Sequence, residues 1–511
     1  MYKSEKLFLG MAFLAGVLLL CSPILAGTYY VSLKGDDSND GKTPATAFRT
    51  IAKGVSVLKA GDTLIIKSGN YGNERVRVLR SGTKDAPITI KAEEPGKVIL
   101  KGTGGGAGIS IINKSYIIVE GIKFTNYGVG VLIKYKSTNN IVRKCIFLEN
   151  NGAGVLLYGN KRSPTDSHSH LFTHNQFIDY TDKQDYGLQL YFSTNVQAVH
   201  NYFYGWHHQA LSFKKIMSNS LAAYNTFDGF RFTAIYLGQN DDGREGNLRS
   251  KNLIAEYNVF RPAAKFRAKN AIVIANVSDP IVRYNFVDSI WGGDVDLHDK
   301  TKNVGETNNF PCAGIHIAPN TTGAKIYGNV IINAKKPGIL VRTGDCEIYN
   351  NTVVGCDWGL AIVPGAHPVV RNNIFYKNKV QVVSPPPRME TWGKVEHTVR
   401  MLPDGTLWKW KPEVGKKTVY EHNCWYPKWD GMGKTDISVE PKFVGPFKPL
   451  TPVSKPTPQF NPDFSRALPY RLQKTSPCID KGMDVGLKFI GKAPDIGAFE
   501  FGMNRFPKFS S

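Results

Sequence analysis

Two adjacent lysines, Lys214 and Lys215, and two tyrosines, Tyr191 and Tyr236, are the residues of this chain whose types suit proton transfer. A lysine acts as a base near neutral pH only when its pKa falls, and a second ammonium beside it pushes in that direction. Lys214 is the first candidate for that role and Lys215 the second. A phenol serves as acid or base, so Tyr191 or Tyr236 is a candidate to protonate a departing oxygen. Arg231, Arg244, His207 and His208 are candidate cations for a carboxylate, arginine with its bidentate fork. Together they form a set able to take a proton from a carbon next to a carboxylate. The plain alternatives are a solvated lysine on an exposed strand, tyrosines that only pack, and a histidine pair with no further metal ligands.

These residues must be positioned by something, and the chain supplies a repeat. An Asn, any residue and a bulky apolar residue recur at Asn175, Asn201, Asn225, Asn258, Asn285, Asn329, Asn351 and Asn373, at intervals of 26, 24, 33, 27, 44, 22 and 22 residues. Upstream of these asparagines lie alternating apolar pairs such as Val131/Ile133, Val155/Leu157, Leu188/Leu190, Leu211/Phe213, Ile235/Leu237, Ile272/Ile274, Ile315/Ile317, Ile339/Val341 and Leu360/Ile362. Alternation is the period of a strand, so these pairs point inward. A coil of this length cannot bury its own apolar face, but stacked coils bury a continuous column. The sequence thus predicts an all-β fold, a right-handed parallel β-helix solenoid, with the asparagines laddered at one bend. A propeller blade needs roughly 40 residues, which 22-residue steps do not supply.

The alternation also predicts what lines the outer face of one sheet. In coil order it carries Lys134, Tyr158, Gln189 with Tyr191, Ser212 with Lys214, Tyr236, His316 and Arg342. Insertions over 159–169, 239–250 and 288–312 leave the coils, and insertions in such scaffolds gather on a binding face. Lys134, Tyr158, Gln189, His207, His208, Arg231, Arg244, His316 and Arg342 are the candidate substrate contacts.

Charge and termini bound the partner. Lys and Arg total 64 against 42 Asp and Glu, a net +22. Lys3 and Lys6, the apolar run Leu7 to Leu20, then Pro23 and Ala26-Gly27 have the layout of a cleaved secretory signal. A basic exported protein meets anionic polysaccharide or cell surface sooner than nucleic acid, although the charge also serves solubility alone. After Cys21 six cysteines remain, and their spacings match no metal motif; an exported chain could pair one or two sets, or keep them as buried thiols. The expected divisions are a signal peptide over 1–26, an N-terminal cap and first coils over 27–105, the β-helix core over 106–383, and a C-terminal excursion and closing segment over 384–511. In that last part Pro385-Pro386-Pro387 opens a Trp-rich stretch, and the residues flanking Pro403-Asp404-Gly405 read as a hairpin.

Tyr29-Tyr30-Val31-Ser32, the run Gly35 to Gly41, Phe48-Arg49-Thr50-Ile51 and Ala60-Gly61-Asp62-Thr63 resemble the N-terminal cap of secreted pectate-lyase-like β-helix proteins. Ala86 to Ala92 is similar to the first coil of the chondroitinase B and alginate lyase group. Ser476-Pro477-Cys478-Ile479-Asp480 with Asp495 to Glu500 looks like the closing segment of such exoproteins. The resemblance implies a secreted polysaccharide lyase acting on a uronic-acid-containing polymer by β-elimination, monomeric, with calcium as the one cofactor it raises. Lyases of this superfamily that hold calcium use a dense Asp cluster; here only Asp241 with Asp242, and Asp294, Asp296 and Asp299, supply oxygens of that type. Relatives that pair a lysine with an arginine one coil later are not matched, because the next strand reads Ala234 to Gly238 without arginine. Three other functions compete. A β-helix glycoside hydrolase needs two carboxyls roughly 6.5–9.5 Å apart, which the outer face lacks. A uronan epimerase shares the proton abstraction without its Asp-Pro-His-Asp signature. A non-catalytic glycan- or surface-binding exoprotein needs only the basic face.

Overall fold

The computed structural model describes residues 26–505 except 182–183, 206–207, 240–248, 263–267, 291–311, 364, 384–398, 402–406, 410–416 and 449–450. At 399–401 and 407–409 it describes the backbone alone. The signal-like residues 1–25 lie outside it.

The inward pairs do form one column. Val131 pairs with Val155, then Leu188, Leu211, Ile235, Ile272, Ile315, Ile339 and Leu360 in unbroken parallel register, and all are fully buried. Successive coils give one strand to each of three parallel strips. Two strips join in a 26-stranded sheet, because the strand Gln209–Ala223 runs through both; the third is a 13-stranded sheet. The single helix of the N-terminal cap, Ile51–Val57, starts at Thr50, whose side chain accepts from the Lys53 amide. It covers the open end of the column with Ile51 and Val55.

The asparagine repeat is a hydrogen-bonded ladder. Asn175 Nδ2 donates to Asn201 Oδ1 at 3.1 Å, and the chain continues through Asn225, Asn258, Asn285, Asn329, Asn351 and Asn373 to Asn423. Each residue before a ladder Asn turns the backbone left-handed, as at His200 (φ +56°) and Tyr224 (φ +55°). The apolar residue two beyond the Asn fills the interior. With Phe124 and Phe147 of the earlier coils, Phe177, Phe203, Phe227 and Phe260 stack at 4.7 to 5.3 Å, each pair adding about 0.5–1.5 kcal/mol beyond its burial.

Beyond the last coil the chain doubles back. Phe460 O accepts from His200 Nδ1 at 2.8 Å, the Thr457 amide donates to Tyr202 Oη, and Tyr204 Oη donates to Ser454 O. The return leg pairs Arg466 with buried Asp288 at 2.6 Å and ties Asp495 and Met483 to Asn350 and Asn372. The expected hairpin forms, with Val399 opposite Lys409 and Met401 opposite Leu407. Trp425 is buried against Phe375 at 4.2 Å, so that ring packs the excursion onto the stack. The six cysteines are buried and form no disulfide; of the two readings of their spacing, buried thiols hold and the bridges are corrected.

Candidate functional site

Residues directly opposite in adjacent strands lie ~4.8 Å apart, so register converts sequence into distance along the stack. Three outward columns define the face. One carries Ala153, Tyr186, Gln209 and Thr233; the middle one Leu156, Gln189, Ser212, Tyr236, Val273 and His316; the third Lys134, Tyr158, Tyr191 and Lys214. Lys214 leans across the face and sets its Nζ 5.3 Å from the ring centroids of both Tyr186 and Tyr236. Burial first, and the Lys215 charge second, lower its pKa to about 8. Tyr191, directly opposite Lys214, accepts a 2.6 Å hydrogen bond from Gln189 Nε2, which turns the phenol's own proton away from that amide. Tyr186 and Tyr236 are held protonated: burial raises both phenols, aided at Tyr186 by the Asp185 charge.

The backbone marks this place. Tyr191 pairs with Lys214 but Ser193 pairs with Met217, so one extra residue is inserted just after Lys214, the one register shift recorded among the described strand pairs. Bulges of this kind re-aim side chains and cluster at functional sites. Lys215 takes the left-handed bend (φ +62°) in that bulge. Ser250, fully buried on the next coil, fastens it: its Oγ donates to Lys215 O at 2.5 Å and accepts from the Met217 amide at 3.1 Å.

The expected residues do not all meet. Lys214, Tyr191, Tyr236, Gln189 and Tyr158 come together, and His208 approaches Tyr186 edge-on at 6.0 Å. Lys134 lies three rungs from Lys214 in its column. Arg231 immediately precedes the strand-start side of the face, next to Phe232. Lys215 lies in the bulge, outside the paired column, and acts on Lys214 through its charge. The expectation that the whole outer column faces solvent is corrected. Tyr236 and His316 are each only 5% exposed, and His316 is kept neutral by that burial and by the Arg342 charge. Arg342 continues the Lys214 column past Gly238, Ala275 and Ala318, roughly 19 Å away at ~4.8 Å per strand. Gly238, next after Lys214, has φ +97°, and a Cβ there would stand 2.0 Å from Ala275 O, so no arginine fits that rung. His207, Arg244, Asp241, Asp242, Asp294, Asp296 and Asp299 lie outside the described residues. Among the described residues no group of three or more His, Cys, Asp or Glu could hold a metal.

Tyr186 was missed by sequence reasoning, as were Gln209 and Thr233. Alternation gave no signal for them: each stands two residues before an inward position, the parity of an interior side chain, yet Lys214 Nζ lies over the Tyr186 ring on the outer face. Gln209 Oε1, Ser212 Oγ and Thr233 Oγ1 are buried without a hydrogen-bond partner, a state that native interiors seldom leave unexplained.

Comparison with known proteins agrees with this scaffold. Residues 29–189 match a family model described as Pel9A-like, right handed beta helix region, and residues 241–402 match one described as periplasmic copper-binding protein (NosD). The scaffold is a right-handed parallel β-helix, and over residues 29–189 it matches the pectate-lyase-like type that the N-terminal motifs implied. Within it, the N-terminal third of the chain is Pel9A-like. An uncharacterized protein of Bacillus subtilis is 40% identical over 78 residues, 15% of this chain and 16% of that protein, so the chain spans about a sixth of that relative's length. Among solved structures, a GH136 lacto-N-biosidase from Eubacterium ramulus aligns with TM-score 0.48 and 12% identity over 70% of this chain and 67% of its own. Pectate lyase Pel9A aligns with TM-score 0.39 and 15% identity over 93% and 96%.

Proposed function

We propose that the protein is an exported polysaccharide lyase that cleaves a uronic-acid-containing polymer by β-elimination, with Lys214 as the base. The observation that supports this reading is the Lys214 amine, held between two protonated phenols on a sheet face whose strands contain no Asp or Glu. The neutral amine takes the proton from the carbon bearing the carboxylate. The electron pair becomes a carbon–carbon double bond, the bond to the glycosidic oxygen breaks, and that oxygen takes a proton from a tyrosine, Tyr191 by its position. No water is consumed. His208, edge-on to Tyr186, and Arg231, just ahead of the strand Thr233–Gly238, are the groups offered to the carboxylate in this reading. The buried, unpartnered atoms of Gln209, Ser212 and Thr233 suit a ligand rich in hydroxyls. A hydrolase would need a carboxyl pair, which these strands do not supply. Pectate lyases of this superfamily raise calcium, and its candidate ligands lie in segments outside the described residues; the lysine chemistry stands without it.

The test is a panel of uronate polymers with and without added calcium, followed by the ultraviolet absorbance of the new conjugated double bond. Absorbance that grows with the parent protein, disappears in Lys214→Ala and persists in Lys215→Ala supports the reading. Glycan binding without any absorbance change assigns the face to a non-catalytic binder, and activity retained in Lys214→Ala removes the base.

A further inference from the structure

Among the described residues, the outer face is accessible on one side of Lys214 only. Toward the N-terminal end, Lys134, Tyr158 and Tyr191 lead to Lys214 in direct register, and all four are half-buried, as are Leu132, Leu156 and Gln189 beside them. Toward the C-terminal end the same columns continue as Tyr236, Val273, Ala275 and Ala318, which pack together as a buried apolar cluster, followed by buried His316 and Leu340. The face thus changes from wet and cationic to closed at the coil after Lys214.

We infer that a polyanionic glycan occupies the track from Lys134 to Lys214 and that Lys214 stands at its closed end, so that elimination falls next to a chain terminus and releases one short product of fixed length. This rests on the lyase reading of Lys214 and deepens it from a reaction to a mode of action. Three rungs separate the two lysines, ~14 Å at ~4.8 Å per strand, so a polymer lying along the stack meets the Lys134 ammonium at one end of the track and the Lys214 amine at the other. Between them Tyr158 and Tyr191 meet edge-to-face at 5.7 Å and present ring surface on which sugars stack. The strands Val129–Tyr135, Ala153–Gly159, Tyr186–Thr194 and Gln209–Ala223 contain no carboxylate to repel such a chain. Past Lys214, Gly238, Ala275 and Ala318 carry no group that could hold a further charged ring.

The experiment follows product size from the earliest time points, together with viscosity, for the full-length protein on polygalacturonate, alginate and glucuronan. One short unsaturated product in the first sample with slow loss of viscosity is expected, and Lys134→Ala should raise KM for the polymer about fivefold, the scale of one half-exposed ion pair. A ladder of intermediate sizes with rapid loss of viscosity overturns the inference, as does a Lys134→Ala KM equal to the parent's. Should none of the three polymers be eliminated, the lyase reading fails separately, and titration with oligosaccharides of the same polymers decides the track. Weaker binding by Lys134→Ala keeps the track as a binding surface; equal or absent binding removes it.

Discussion

Lys214 sets the pH behaviour expected of the site. Its amine works only when neutral, and burial with the neighbouring Lys215 charge brings its pKa to about 8. The kcat/KM of elimination should therefore rise with pH and level off above about 8. Lys215→Gln removes the like charge that lowers this value, so the inflection should move to higher pH while the amine stays in place. A pH profile of both proteins checks this, and an unmoved inflection would mean that Lys215 is too well solvated to act on its neighbour. Lys214, Tyr191 and Tyr236 were legible in the sequence because strand alternation names the outward residues without knowledge of the fold. Tyr186 was not found, since it stands two residues before inward Leu188 and plain alternation assigns it to the interior. The burial of Tyr236 and His316 was illegible for a different reason: alternation tells which way a side chain points and nothing about what covers it.

The elements hold that lysine through a few buried polar contacts. Ser250 bridges the bulge from the next coil, so Ser250→Ala leaves the Met217 amide buried without its acceptor, a cost of about 1–3 kcal/mol. It should also reduce elimination more than an equally destabilising change on another strip, with Ser250→Thr restoring part of both; denaturant melts beside rates measure the difference. A second pair lies behind the return segment. Arg261 grips fully buried Asp228 with two bonds of 2.6 and 2.7 Å, and Tyr202 Oη donates to the same carboxylate at 2.9 Å. Arg261→Ala strands that carboxylate, and the stability lost should be about 3–5 kcal/mol by denaturant titration. The strands, their direction and the ladder were readable from repeated Asn and paired Ile, Leu and Val. The bulge was not, because one inserted residue among steps of 22 to 44 looks like ordinary loop variation.

Across the whole molecule, the closing segment is where coils of distant sequence are joined. Glu500 is pushed up to about 7 by burial, more than the Asp495 amide bonded to it pulls it down. The native segment then keeps a proton that the unfolded chain loses above the ordinary glutamate value, so its stability is greatest in acid and falls as pH rises toward about 7. Hydrogen exchange of the amides over 480–501, corrected for intrinsic rates, should show less protection at pH 8 than at pH 5, and Glu500→Gln should flatten that difference. The motif pattern around Cys478 and Asp495 announced a closing segment, yet not its reach, since no local pattern encodes a partner 260 residues away. That reach has a temporal consequence. Phe460 and Thr457 emerge from the ribosome 255 to 260 residues after the coils they clasp. At ~5–20 residues per second this is a wait of roughly 13–50 s, during which His200 and Tyr202 have only neighbouring coils for company. Synthesis thus builds the stack rung by rung and fastens its middle only after the last coil has been made.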